Sequence, residues 1–195
     1  MREKKPLIDK PGNTQHKFVK TREYIFCPWC SARLVESEYD GKIRKRCPQC
    51  DFVHYKNPVP ASGAIIEREG KVLMVKRKYP PRVDYWSIPA GFMEYGESPA
   101  ACCIREVEEE TGLKIKLTNL LKVYSGHDDP RTKAVLIVYL AEAIGGQLRA
   151  GDDASEIGFF SPENPPENLA FESHRRALAD HVYLKAHNRL PDPDE

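Results

Sequence analysis

Short apolar runs, broken by glycine, proline and charged residues, follow one another along the second two thirds of the chain. Residues 61–67 and 71–76 have the β-branched and apolar content of strands, and Glu69-Gly70 between them suits a tight hairpin. Residues 79–84 hold two prolines and one aromatic, Tyr79, in a loop setting. Residues 85–89 read as a short apolar strand, and 91–97 as a loop with two glycines. A helix is expected over 99–111: Ser98 is a suitable N-cap, Pro99 fits the first helical position and Gly112 the left-handed stop. Strands are expected again over 117–124, 134–143 and 157–160. The second of these is so uniformly apolar that it should be central and buried on both faces. A last helix is expected over 172–187, turning Ala177, Leu178, Val182 and Leu184 to the body. Many strands with few helices predict an α/β architecture, a mixed sheet with helices packed against it.

The N-terminal third differs. Residues 1–20 are polar and charged, with Pro6, Pro11 and Gly12, the pattern of a flexible tail. Residues 21–57 are compact and cysteine-rich. Pro58 and Pro60 then mark the entry to 58–190, a stretch long enough for a core of its own. Lys and Arg number 30 against 29 Asp and Glu, so the net charge of +1 offers no global field toward nucleic acid or an anionic membrane. No apolar stretch reaches the length of a membrane span, and residues 1–20 lack the apolar segment of a secretory signal. A cytoplasmic, reducing setting is expected, in which clustered thiols read as metal ligands before disulfides.

Four of the six cysteines form two such pairs, Cys27-Pro-Trp-Cys30 and Cys47-Pro-Gln-Cys50, separated by 16 residues. A CxxC turn presents two thiolates from one knuckle, and a hairpin across Tyr39-Asp40-Gly41-Lys42 would bring two knuckles together. The arrangement resembles a zinc ribbon closed by four thiolates, structural rather than catalytic; rubredoxin-type iron or redox thiols are the alternatives. The basic run Lys42, Arg44, Lys45 and Arg46 suits a solvated hairpin face, or else a contact with an anion or nucleic acid.

The helix at 99–111 carries Glu106, Glu108, Glu109 and Glu110. Like charges three and four residues apart repel, and fold stability does not ask for them. At 3.6 residues per turn Glu106, Glu109 and Glu110 fall within about 100° of one another. Ala100, Cys103, Ile104, Val107 and Thr111 turn toward a core. A solvated acidic face is the plain alternative; a cluster of three carboxylates also suits the hard cations Mg²⁺ or Mn²⁺, which take oxygen ligands and would offset the charge of a diphosphate.

The spacing Gly91, five residues, Glu97, seven residues, Arg105-Glu106, Val107, any residue, Glu109-Glu110, any residue, Gly112-Leu113 resembles the Nudix hydrolase signature at every specified position. That resemblance implies an α/β/α sandwich with the signature as loop-helix-loop, and hydrolysis of a nucleoside diphosphate linked to another moiety. It implies Glu106, Glu109 and Glu110 as ligands of Mg²⁺ or Mn²⁺, helped by the Gly91 carbonyl. Arg105 and Glu97 would support them through a salt bridge. A ribbon ahead of such a domain is similar to the zinc-containing NADH pyrophosphatase branch. Residues 123–131, Val-Tyr-Ser-Gly-His-Asp-Asp-Pro-Arg, depart from the motif of that branch. The stretches Gly145-Gly-Gln-Leu-Arg-Ala-Gly151-Asp152 and Ala170-Phe-Glu-Ser-His-Arg175 are closer to ADP-ribose pyrophosphatases and relatives that act on FAD.

A further carboxylate from a loop is expected as ligand or base, Glu156 first, then Asp153, with Glu110 as runner-up for the base. Candidates to hold substrate are Arg77, Tyr85, Trp86, His127, Arg131 and Phe171, with Tyr79 near them. Polar-loop or core roles are the alternative for each. The expected reaction releases AMP from ADP-ribose or FAD. NADH or an NAD cap is the other substrate reading, and a non-catalytic nucleotide or RNA sensor is the reading from another class. The expected partners are a small nucleotide and a second copy of the chain in a homodimer, with no membrane; the charge balance speaks against nucleic acid but leaves a local contact open.

Overall fold

The computed structural model describes residues 23–151 and 153–190. The tail expected at 1–20 and Asp152 lie outside the described residues.

In the cysteine-rich segment β1 (Val35–Tyr39) and β2 (Lys42–Arg46) pair antiparallel, with Tyr39 opposite Lys42 across the Asp40-Gly41 turn. Both turn residues have positive φ, 53° and 70°, as a two-residue hairpin of right-handed twist requires. β3 (Val53–His54) pairs with β2 and completes a three-stranded sheet. Its buried apolar cluster is only Cys27, Leu34 and Cys47, with Ala32, Cys50 and Phe52 packed against it.

The rest of the chain builds one seven-stranded mixed sheet. Its elements are β4 (Val59–Arg68), β5 (Lys71–Arg77), β6 (Trp86–Ser87), β7 (Ala90–Phe92), β8 (Leu113–Gly126), β9 (Ala134–Gly146) and β10 (Ala154–Phe160). The main path runs β10-β5-β4-β9-β8, with β6 against β5 and β7 against β4. β4 and β9 are parallel, Val59 opposite Ala134 through Ile66 opposite Ala141; the other pairings are antiparallel. Side chains alternate across a strand, so neighbours on β4 and β5 report opposite faces. Ile65, Val72 and Met74 belong to one core cluster, with Ala177 and Leu178 of α2 (Glu172–His187). Ala64, Ile66 and Leu73 belong to another, with Cys103 and Val107 of α1 (Pro99–Thr111). The two helices therefore cover opposite faces of the sheet, an α/β/α sandwich. Among the described residues no helix is long and apolar enough to cross a membrane.

Both helices begin and end at the expected residues. The Ser98 hydroxyl accepts from Ala101 N at 3.1 Å, Pro99 opens α1, and Gly112 closes it at φ 70°. Its buried face differs from the expected one. Ile104 is exposed, whereas Cys102, Cys103, Val107, Glu110 and Thr111 are buried. The reason is Glu110, whose carboxylate is drawn inward to the amide of Ala90. On α2 the buried position is His181 rather than Val182, because its Nε2 meets Glu67 Oε2 at 2.8 Å. β9 is central, but its last five residues, Glu142 to Gly146, are exposed. The glycine-bearing loop at 91–97 begins as β7, and the strand expected at 85–89 is reduced to Trp86–Ser87.

The stretch from Gly145 to Gly151 has a structural task. It wraps the end of α1, where the last carbonyls have no partners within the helix. Gln147 N donates to Gly112 O (3.1 Å), Arg149 N to Thr111 O (2.9 Å) and Gly151 N to Glu110 O (3.0 Å). Approach this close excludes a side chain: a Cβ on Gly151 would stand 1.7 Å from the Glu109 carbonyl oxygen.

Candidate active site

A cavity of about 320 Å³ opens beside α1, between the ends of β5, β7 and β8 and the start of α2. Glu106, Glu110, Gly91, Arg77, Arg131, Phe171 and Tyr79 of the expected site residues line it. Asp128, Asp129, Asp153 and His174 line it as well.

Glu110 is buried, and its Oε2 accepts from Ala90 N at 3.0 Å. Burial pushes its carboxyl up to about 8; the Ala90 amide opposes this, while the nearby Glu106 adds to it. Glu106 is also pushed up, chiefly by burial, against the pull of Arg105. Two desolvated carboxylates face one cavity, an arrangement a hard cation would relieve. Glu109 is more exposed and does not belong to the cavity wall. Arg105 gathers it instead: Nη1 donates to Glu106 Oε1 at 2.7 Å and to Glu109 Oε2 at 3.0 Å. The other edge of the guanidinium grips Glu97, with Nε to Oε2 at 3.1 Å and Nη2 to Oε1 at 2.6 Å. That fork holds the Glu97 carboxyl down at about 2, and Glu94 N donates to the same group. Arg105 is thus fixed by Glu97 and in turn orients two of the three clustered glutamates.

Gly91 makes room for Glu106. A Cβ there would lie 2.1 Å from Glu106 Cδ and 2.2 Å from both its oxygens. The clash is with the tip of a side chain, so Gly91→Ala should fold normally but displace the carboxylate. Misplacement by about an ångström costs on the order of 100-fold in rate. A fall in turnover with an unchanged melting temperature is expected; undiminished turnover would show that the position of Glu106 is unimportant.

Arg77 stands at the junction of the charges. Its guanidinium packs over the Phe171 ring at 5.3 Å, and its Nε donates to Pro81 O at 2.9 Å. Burial and then Arg131 lower its proton affinity, while Glu110, Asp129 and Asp153 sustain it. Arg131 is forked onto Asp129 (Nη2 to Oδ2, 2.8 Å). Asp128 Oδ2 accepts from Glu172 N at 2.9 Å, so the loop between β8 and β9 caps α2, whose own N-cap residue, Phe171, has no side-chain cap.

Other expected residues stand outside the cavity wall. Glu156 is exposed on β10 and paired with Lys76 at 3.1 Å; the register shifts between Ala154 and Glu156, and Asp153, three residues earlier in the chain, lines the cavity. Trp86 is buried with Phe160 at its edge, ring centroids 4.6 Å apart, as a core residue. Tyr85 lies outward under Arg82, 5.8 Å away, and His127 is exposed, its carbonyl accepting from Lys133. His174 and Asp128 were not singled out by sequence. The former sat inside a recognised stretch, Ala170 to Arg175, and only its burial beside Arg77 distinguishes it.

The four cysteines form the second candidate centre. Their sulfurs lie within 4.8 Å of one another, with 3.6 Å between Cys27 and Cys50, 3.3 Å between Cys30 and Cys47, and 3.7 Å between Cys30 and Cys50. Four thiolates about 2.3 Å from a tetrahedral ion stand about 3.8 Å apart, so the set fits one metal. Trp29 N and Gln49 N each point at the first sulfur of their knuckle, both at 3.4 Å. Among the described residues this is the only set of three or more such groups whose ligand atoms all lie this close.

A family model described as NUDIX domain matches residues 57–181. An ADP-ribose pyrophosphatase of Methanocaldococcus jannaschii is 40% identical over 153 residues, which are 78% of this chain and 89% of that protein. An NAD-capped RNA hydrolase of Pseudomonas aeruginosa is 28% identical over 88% of this chain, which spans 60% of that relative's length. The crystal structure of a NUDIX hydrolase from Nitrosomonas europaea superposes with a TM-score of 0.74 at 28% identity, covering 86% of this chain and 95% of that one. A bifunctional NMN adenylyltransferase/ADP ribose pyrophosphatase of Francisella tularensis, solved with AMP and a manganese ion, matches with a TM-score of 0.52 at 26% identity, over 68% of this chain and 42% of that one.

Proposed function

Because the chain belongs to the Nudix family, we propose that it hydrolyses the P–O–P bridge of a nucleoside diphosphate linked to a second moiety, ADP-ribose or FAD, and releases AMP. The observation that carries the reading is the meeting of Glu106, Glu110 and Arg77 at one cavity. ADP-ribose is favoured by the 40% identity to the archaeal relative of that name. Glu106, Glu109 and Glu110, with the Gly91 carbonyl, would hold Mg²⁺ or Mn²⁺; a structural neighbour solved with AMP and a manganese ion supports the choice of ion. Such a cation supplies charge neutralisation for the diphosphate and makes water a better nucleophile. Arg77 then steadies the phosphate oxygens, Arg105 keeps Glu106 and Glu109 aimed, and Phe171 offers an aromatic face. Asp153 or Glu110 takes the proton from the attacking water, Asp153 in the place expected of Glu156.

The cysteine set binds one Zn²⁺ and holds residues 21–57 as a ribbon ahead of a hydrolase unit at 58–190. A homodimer is part of the same reading. Removal of an NAD cap from RNA is the second reading, favoured by the relative described as an NAD-capped RNA hydrolase and by two arginines stacked on tyrosines of the ribbon: Arg44 over Tyr55 at 4.6 Å and Arg46 over Tyr39 at 4.7 Å.

The test is a panel of ADP-ribose, FAD, NADH and NAD-capped RNA with Mg²⁺ and Mn²⁺, read by product mass. AMP with ribose 5-phosphate, or AMP with FMN, is expected. Tight binding of nucleotides with no product from any of them would turn the reading toward a sensor.

A further inference from the structure

His174 is the third residue of α2 and lines the cavity with Arg77 and Phe171. The ring centroid of Phe171 lies 5.2 Å from that of His174, and the guanidinium of Arg77 lies 5.3 Å from the same phenyl ring. Phe171 is therefore in contact with both, and the three side chains form one compact group. The residue is 6% exposed, and its Nδ1 is buried with no hydrogen-bond partner among the described residues. Buried ring nitrogens are normally satisfied, so an unpaired one on a residue that lines a cavity points to a missing partner. The backbone beneath it is firmly placed, because Asp128 accepts from the neighbouring Glu172 amide.

Resting on the pyrophosphatase reading above, we propose that His174 is a specificity-determining residue: its neutral imidazole hydrogen-bonds a hydroxyl of the ribosyl group attached to the diphosphate that Arg77 steadies. The electrostatics agree with this choice of ligand. Burial, and then the facing Arg77, hold the imidazole down at about 3, against a smaller opposing pull from Asp128. It is uncharged throughout the neutral range, and a phosphate would gain little from it. A neutral imidazole has one donor and one acceptor, and so does a hydroxyl. With Nδ1 unpaired, no protein group seen at that nitrogen fixes the tautomer, so either sense of the bond is open to the ring. The charge of Arg77 acts on both Glu110 and His174, which sets His174 beside the place where the diphosphate would lie.

The experiment compares kcat/KM of wild type, His174→Phe and His174→Gln on ADP-ribose and on its deoxy analogues lacking one ribosyl hydroxyl at a time. Wild type should lose about 10- to 100-fold on the analogue without the contacted hydroxyl, the loss of one buried hydrogen bond. His174→Phe should lose a similar factor on ADP-ribose and nothing further on that analogue, and His174→Gln should recover part of the difference. Equal losses by His174→Phe on every substrate, or no loss, overturn the role of His174 while leaving the pyrophosphatase reading intact. No turnover of any of these compounds by wild type overturns that reading and this inference with it.

Discussion

Glu110→Gln removes turnover and, in protein free of divalent cations, raises the melting temperature. The two effects share one cause. Glu110 is buried at the end of α1, and its carboxyl is pushed from an ordinary value of 4.5 up to about 8. Between those values the folded chain holds the proton more tightly than the unfolded chain does. Stability therefore declines as pH rises through that window, and the deficit is complete above pH 8. Each pKa unit corresponds to about 1.4 kcal/mol. After reorganisation and water entry, a penalty of about 1–3 kcal/mol is a reasonable scale for such a site. Glutamine has no charge to bury and keeps an oxygen to accept from Ala90 N, so the variant should be more stable than wild type above pH 8 and match it near pH 4.5. Added Mg²⁺ should stabilise wild type and narrow the gap, since a ligand bound only by the folded state adds to stability. Turnover should fall by on the order of 1000-fold or more, the scale seen when preorganised charge is removed from a transition state. A variant that is inactive but less stable than wild type at pH 8 would mean that Glu110 serves the fold, not the site.

Cys47→Ser costs the ribbon its structure. Only three buried side chains make the core there, and two of them are cysteines, Cys27 and Cys47. So small a core cannot offset the entropy of ordering the segment. A structural zinc contributes on the order of 10 kcal/mol to such modules. Loss of one thiolate should release the ion and unfold β1 to β3, while the seven-stranded sheet keeps its own two clusters. Hydrogen exchange reads this directly: amides of residues 23–54 should exchange freely in the variant, and those of β4, β5 and β9 should stay protected. Zinc analysis should find about one ion per wild-type chain. Protected ribbon amides without any bound metal would contradict the account.

How far the sequence carried these conclusions depends on the kind of signal. The ends of both helices were legible because capping is local chemistry: Ser98 and Pro99 at the start of α1, and Gly112 at its end, act within a few residues of themselves. The clustering of the four cysteines was legible because two thiol pairs at such spacing leave few geometries. The buried face of α1 was not, since the pull of Ala90 N on Glu110 joins residues 20 positions apart. The position of Glu156 outside the cavity wall was not legible for a similar reason. The register shifts between Ala154 and Glu156, just after the cavity-lining Asp153, and bulges leave little trace in composition. Asp128 and His174 belong to the site only through packing of the β8–β9 loop on the start of α2, a contact between distant segments. The stretch 145–151 was seen as a pattern, yet its task of closing α1 appears only in the backbone hydrogen bonds.

Arg105 raises the sharpest question about the glutamate cluster, because one guanidinium nitrogen binds both Glu106 and Glu109. On the proposed reading a divalent cation competes for those oxygens, and the fork to Glu97 keeps Arg105 in place when they leave it. Titration of the protein with Mn²⁺, followed by electron paramagnetic resonance, tests this most directly. Wild type should take up Mn²⁺ in step with the appearance of activity, and Glu106→Gln, Glu109→Gln and Glu110→Gln should each weaken uptake by at least about tenfold, roughly 1.4 kcal/mol. Uptake unchanged in all three variants would place the cation elsewhere and contradict the account.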